Sequence, residues 1–113
     1  MLEETRSQVD RLCQRIDRTA EHLLRLIEND GLPFDILLFL KELGKDAKNL
    51  ASLYKSHNDE WHELESVNDF RSRKGITAVC KADTWANRNN RKDISDLAEH
   101  VNNDLCSIFK NVD

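Results

Sequence analysis

The sequence contains little glycine and proline and has no long apolar run. Only three of its 113 residues are glycine and one is proline. A loop-rich all-β domain or a repetitive Pro/Gly-rich chain would need many more of these turn residues. The longest apolar run, residues 36–40, covers five positions, whereas a transmembrane helix needs about 20. The composition therefore predicts a single helical domain that does not span a membrane.

The cysteines are few and poorly placed for a disulfide or a metal site. Cys13, Cys80 and Cys106 are an odd number, lie far apart and form no CxxC pair, so we expect reduced, buried thiols. The N-terminal residues also lack the basic stretch and apolar run of a secretory signal. Both observations favour a cytoplasmic protein.

The residue types needed for catalysis or cofactor binding form no recognisable pattern. The glycines at positions 31, 44 and 75 are too far apart to build a phosphate-binding loop. His57 and His62 would point in different directions from a helix, whereas a zinc site needs three or four converging ligands. No serine, cysteine or histidine lies in a known nucleophile motif. We therefore predict a non-enzymatic protein with no cofactor and no metal.

Apolar residues recur at helical spacing over the first half of the chain. Residues 2–29 predict one helix, which the Asn-Asp-Gly sequence at residues 29–31 would end because glycine tolerates a left-handed conformation. Residues 33–55 predict a second helix, so that residues 1–57 form an antiparallel hairpin. Gly44, inside the second helix, predicts a close contact with another helix. The expected buried stripes are Leu2, Val9, Leu12, Ile16, Leu23 and Leu26, followed by Ile36, Leu40, Leu43, Ala47, Leu50 and Tyr54.

The second half of the chain completes the expected bundle. Residues 58–75 predict a third helix with Trp61 in the core. Residues 76–92 are a basic connecting segment that is helical or irregular, and residues 93–113 predict a C-terminal helix. The expected fold is an all-α bundle of four to five helices built on the long N-terminal hairpin. The second helix begins with a half that is apolar on almost every side, so other helices or a second molecule must cover it.

Charge is distributed unevenly along the chain. The formal net charge is −4, yet residues 71–92 contain seven basic side chains and one acidic side chain. Such asymmetry influences the choice of partner. Trp85 lies inside this polar stretch, where it has little reason to be buried, and tryptophan is enriched at interface hot spots. The predicted partner-binding residues are Trp85, Arg88, Arg91, Lys92, Arg71, Arg73 and Lys74.

These features favour a protein–protein interaction module that acts through helical surfaces, as an adaptor, an inhibitor or a regulatory subunit. Acidic helix faces, with Glu42 among their residues, would attract basic partners. One candidate partner is a second copy of the chain, because a homodimer would cover the apolar first half of the second helix.

Two alternative functions follow from other residues. The basic residues of 71–92, interleaved with asparagines and Trp85, suit phosphate contact and base stacking, and so indicate nucleic-acid binding. Arg18 and His22 are spaced like the Arg–His pair of some helical ribonucleases. Arg11, Arg15 and Arg25 share that face, however, and a polar helix surface explains the pair more simply.

Overall fold

The apolar stripes of the sequence become the buried sides of four α-helices. A computed structural model describes residues 2–64 and 74–109, apart from the side chains of His62 and Phe109. The α-helices are α1 (Glu3–Glu28), α2 (Pro33–Ser56), α3 (Lys74–Arg88) and α4 (Lys92–Phe109), with a 3-10 helix at Asn58–Glu63. The described residues contain no strand. The predicted all-α bundle with an N-terminal hairpin is confirmed.

The first two helices follow the predicted pattern closely. In α1 the buried residues are Val9, Leu12, Cys13, Ile16, Ala20 and Leu23. In α2 they are Ile36, Leu40, Leu43, Asp46, Ala47, Leu50 and Ala51. Glu3 and Glu4 occupy the first turn of α1 and Arg25 its last turn, which suits the helix dipole. Leu2 departs from the prediction, because its side chain is 73% exposed.

In the turn between α1 and α2, the left-handed residue is Asp30, whereas the sequence predicted a glycine. Asp30 has a φ of 51°, whereas no described glycine has a positive φ. The Gly31 N–H donates to the Leu26 carbonyl at 2.7 Å, which completes a Schellman motif. A Cβ on Gly31 would lie 2.9 Å from Leu26 Cδ2. Glycine is therefore favoured here by close packing rather than by φ.

The turn between α3 and α4 uses the same motif without glycine. Asn90 is left-handed, with a φ of 57°, and the Arg91 N–H donates to the Ala86 carbonyl at 2.9 Å. The side-chain amide of Asn89 donates to the Trp85 carbonyl, as that of Asn29 does to the Arg25 carbonyl. The two hairpins thus close in the same way.

The middle of the chain differs from the predicted division into a third helix and a connecting segment. Residues Asn58–Glu63 form a 3-10 helix, and Leu64 after them is extended. Trp61 lies in the core, as predicted, 1% exposed and edge-on to Tyr54. The basic segment is an α-helix as far as Arg88. The rest of the predicted third helix, at residues 65–73, lies outside the described residues.

The two hairpins pack against each other to enclose the core. Helix α1 packs against α2 and α3, and α4 packs against the same two helices. The predicted close contact at Gly44 is confirmed, because a Cβ there would lie 2.8 Å from Val101 Cγ2 on α4. Among the described residues, no helix has the length and apolar character required to cross a membrane.

Candidate binding surface

Trp85 lies in the core, contrary to the expectation that it faces a partner. Its side chain is 7% exposed. The other buried residues of α3 are Gly75, Ala78, Val79, Ala82 and Ala86. Because these side chains are small, the indole of Trp85 is the one large group that α3 contributes to the core. Its polar neighbours in the sequence belong to other faces of the helix.

Among the described cations of the predicted partner-binding set, Lys74 lies apart from those at the α3–α4 turn. Lys74 Nζ lies 2.6 Å from Glu21 Oε1 on α1, and Arg91 forms an ion pair with Asp93 at 2.8 Å. Arg88 and Lys92 are exposed. Fourteen residues of helix separate Lys74 from Arg88, a distance of about 21 Å. The remaining two, Arg71 and Arg73, lie outside the described residues.

The cysteines also differ from the expectation of buried thiols. Cys13 is buried, but Cys80 and Cys106 are exposed, and all three are free. Burial, followed by the charges of Asp17 and Asp10, raises the pKa of the Cys13 thiol to about 12.

Helix α1 carries two sets of charged side chains on different sides of its exposed surface, which we call the basic edge and the acidic edge. The basic edge consists of Arg11, Arg15, Arg18, His22 and Arg25, at alternating steps of four and three residues. The acidic edge consists of Asp10, Asp17, Glu21 and Glu28. Residues three and four apart are neighbours on a helix surface, so the basic edge is a continuous row, whereas the acidic edge is interrupted by two steps of seven residues.

The acidic edge faces α3 and is partly neutralised there. The ion pair and hydrogen bond from Lys74 lower the pKa of Glu21. Asp17, half-buried on the same edge, has a raised pKa because burial disfavours its charge. Lys74 of the predicted basic segment therefore compensates an acid of its own protein.

Arg15, Arg18 and His22 of the basic edge face α2 across an open groove with a volume of about 500 Å³. Residues lining it are Arg15, Arg18, Thr19 and His22 from α1 and Phe39, Glu42, Lys45 and Asp46 from α2. Arg15 reaches across to Asp46 at 3.2 Å. Asp46 is 3% exposed, and its burial raises its pKa despite the nearby charges of Arg15 and Lys45. Glu42, which we expected on an acidic surface, lies among these cations.

An aromatic contact fixes one ring of the groove. His22 stacks on Phe39 with ring centroids 5.7 Å apart and an interplanar angle of 24°. The His22 side chain remains exposed, while Phe39 is half-buried. Both rings also line a second hollow of about 240 Å³ with Arg25, Leu26 and Asn29. The imidazole of His22 is therefore held nearly parallel to the ring of Phe39 within the basic edge.

Helix α2 presents a mixed stripe to solvent. Phe34, Leu38, Lys41, Lys45 and Lys48 follow one another at steps of four and three residues, and all are exposed. The exposed fractions are 72% for Phe34, 45% for Leu38 and 67% for Leu32 in the adjoining turn. We call Leu32, Phe34 and Leu38 the apolar tip, and Lys41, Lys45 and Lys48 the lysine row.

Most of these cations have no ion-pair partner in the part of the chain that the structure describes. Within residues 2–64 and 74–109, the basic edge forms one ion pair, that of Arg15, and the lysine row forms none. The helical spacing of the sequence already placed Arg11, Arg15, Arg18, His22 and Arg25 on one face of α1. The sequence did not predict that this face adjoins the lysine row, because the two sets of charges lie on different helices.

The structure brings Arg18 and His22 into one groove, as their spacing indicated. Among the described residues no group of three or more His, Cys, Asp or Glu side chains could hold a metal ion. Comparison with protein-family models finds no match, and comparisons with curated proteins and with solved structures find none either.

Proposed function

We propose that this protein is a non-enzymatic interaction module that binds an acidic surface of another protein through the apolar tip and the lysine row. The observation that carries this proposal is the exposure of the apolar tip. Phe34 and Leu32 are each about two-thirds or more exposed, although burying such a side chain is worth about 1.5–3 kcal/mol. A partner that covers them gains that stabilisation.

The arrangement of α2 suits docking of a helix into a groove. Phe34 and Leu38 are one turn apart and form a pair of apolar anchors, as in other helix-in-groove complexes. The lysine row continues the same side of the helix. A complementary partner has an apolar pocket for the two anchors and carboxylates along the side that meets the lysines.

The lysine row favours a different protein over a second copy of the chain. Two copies pairing along the whole exposed stripe of α2 would bring their lysine rows together in a parallel arrangement and set lysines against the apolar anchors in an antiparallel one. Neither contact favours association. An acidic partner avoids both contacts. Association with it would be faster at low salt than at high salt, because screening weakens the attraction.

The test is capture of partners by the immobilised chain and by two matched variants. The double substitution Phe34→Ser with Leu38→Ser removes the anchors, whereas Leu2→Ser removes an equally exposed leucine at the N-terminus of α1. We expect a protein from a nuclease-treated lysate of the source cells to bind the wild type and Leu2→Ser stoichiometrically. Its affinity for the tip variant, measured with purified components, should be at least about tenfold weaker.

Two results would contradict the proposal. Equal binding of the purified partner to the wild type and the tip variant would show that the apolar tip is not the contact. A dimer of the chain alone in sedimentation equilibrium, lost on substitution of the tip, would assign the tip to self-association instead.

A further inference from the structure

The basic edge of α1 has more cations than ion pairs among the described residues. Arg11 and Arg15 are four residues apart, as are Lys41 and Lys45 on α2, and like charges at this spacing destabilise a helix. Arg18 and Arg25 have no ion pair among the described residues. An anion outside the chain would neutralise these charges.

The length of the edge indicates an extended anion. Arg11 and Arg25 are fourteen residues apart, which is about 21 Å along the helix. One phosphate or carboxylate contacts a single arginine or two adjacent ones, so it leaves most of this row unused. A chain of phosphates can follow the whole row, and arginine binds each phosphate through two parallel hydrogen bonds.

The exposed ring distinguishes a nucleic acid from an acidic peptide. His22 is the fourth of the five residues of the basic edge, and it stacks on Phe39. The His22 side chain as a whole is exposed. Unpaired bases stack on aromatic and histidine rings, and a cationic groove with such a ring is the usual arrangement for single strands.

We propose that the basic edge of α1 and the adjoining groove between α1 and α2 bind single-stranded nucleic acid, with phosphates along the edge and one base stacked on His22. This inference does not depend on the apolar tip, whose residues lie outside the groove lining, and it shares only Lys45 with the lysine row. It also differs from the sequence expectation, which assigned nucleic-acid binding to residues 71–92.

The test compares two variants with equal changes in charge. Arg18→Ala with Arg25→Ala removes two cations from the basic edge, whereas Lys81→Ala with Arg88→Ala removes two exposed cations from α3. Binding of a fluorescein-labelled 12-nucleotide single strand is followed by anisotropy at several salt concentrations. We expect at least a tenfold loss of affinity for the α1 variant, and a salt slope reduced by about 1.4 if each arginine contacts one phosphate. The α3 variant should bind nearly as the wild type does.

The role of the ring is tested at His22. We expect His22→Ala to weaken binding at least about fivefold and His22→Phe to restore it, because stacking needs an aromatic ring but no charge. Circular dichroism confirms that each variant remains helical.

Three outcomes would overturn the inference. One is absence of binding by the wild type at low salt, and another is equal loss of affinity in the α1 and α3 variants. The third is equal competition by polyglutamate, combined with unchanged binding by His22→Ala, which would make the groove a surface for acidic proteins.

Discussion

The two hairpins close with the same turn but present different surfaces to solvent. In both, an asparagine caps the first helix through its side-chain amide, and the next residue is left-handed. The α1–α2 hairpin has a basic edge, a lysine row and an apolar tip, whereas no large apolar side chain of the described α3–α4 hairpin is exposed. The same turn and a similar apolar core therefore join helices whose solvent-exposed faces carry different residues.

Ion pairing differs in degree between the same two regions. In the second hairpin, Lys74 and Arg91 are each paired with a carboxylate of the protein, whereas Lys81, Arg88 and Lys92 have no ion pair among the described residues. In the first hairpin, Arg15 alone of the basic edge and lysine row has such a partner among the described residues. The stretch of sequence with the densest basic charge is therefore not the region with the most unpaired cations.

The largest expected effect is a difference in stability between two aromatic-to-alanine variants, one in each hairpin. Trp85→Ala should lower the free energy of unfolding by about 3–5 kcal/mol, because it empties a filled part of the core. Phe34→Ala should change it by less than about 0.5 kcal/mol, since that ring is exposed. Urea denaturation of both variants measures the difference.

A small effect of Trp85→Ala on stability would contradict the expected difference between the two variants. It would mean that the indole is dispensable to the core and would restore Trp85 as a candidate partner contact. Conversely, a large loss for Phe34→Ala would show that the apolar tip is already covered in the isolated protein.

An intermediate effect is expected at the two turns. Asp30→Gly and Asn90→Gly should each raise the free energy of unfolding by about 0.5–1 kcal/mol, because glycine adopts the left-handed conformation without strain. The measurement is the urea midpoint of each variant, with Asp30→Ala and Asn90→Ala as controls that should lose stability. A gain at one turn only would show that the hairpins do not close alike.

The smallest expected effect is a pH dependence of stability that comes from the buried carboxyl group of Asp46. Burial raises the pKa of Asp46 in the folded protein, so the folded state holds this proton more tightly than the unfolded chain does. Stability contributed by this group therefore falls as pH rises from about 4, the ordinary aspartate value, through the raised pKa. Asp46→Asn lacks this titration and should gain stability relative to the wild type over that range.

Thermal melts of both proteins at several pH values between 4 and 7 test this expectation. Asp46→Asn also removes a carboxylate from the groove lining, so its affinity for the single strand should not fall. If the variant instead lost stability relative to the wild type as pH rose, the ion pair with Arg15 would outweigh the cost of burial.

Helix positions were predictable from the sequence because burial of apolar stripes dictates them. The second helix was expected at residues 33–55 and is observed at Pro33–Ser56. The burial of Trp85 was not predictable from its polar neighbours in the sequence. It depends on the small residues of α3 that share its side of the helix. The groove was missed for a similar reason, since it requires knowing that α1 and α2 place Arg15 beside Asp46.

The inertness of Cys13 has a practical consequence for following binding by fluorescence. Maleimide dyes react with thiolates, and a thiol whose pKa is about 12 supplies almost none at neutral pH. Cys80 and Cys106 are exposed on α3 and α4, so a dye labels the second hairpin and leaves the first one bare. The wild-type chain can thus report the arrival of a labelled strand or partner by energy transfer, with no engineered cysteine near either proposed site.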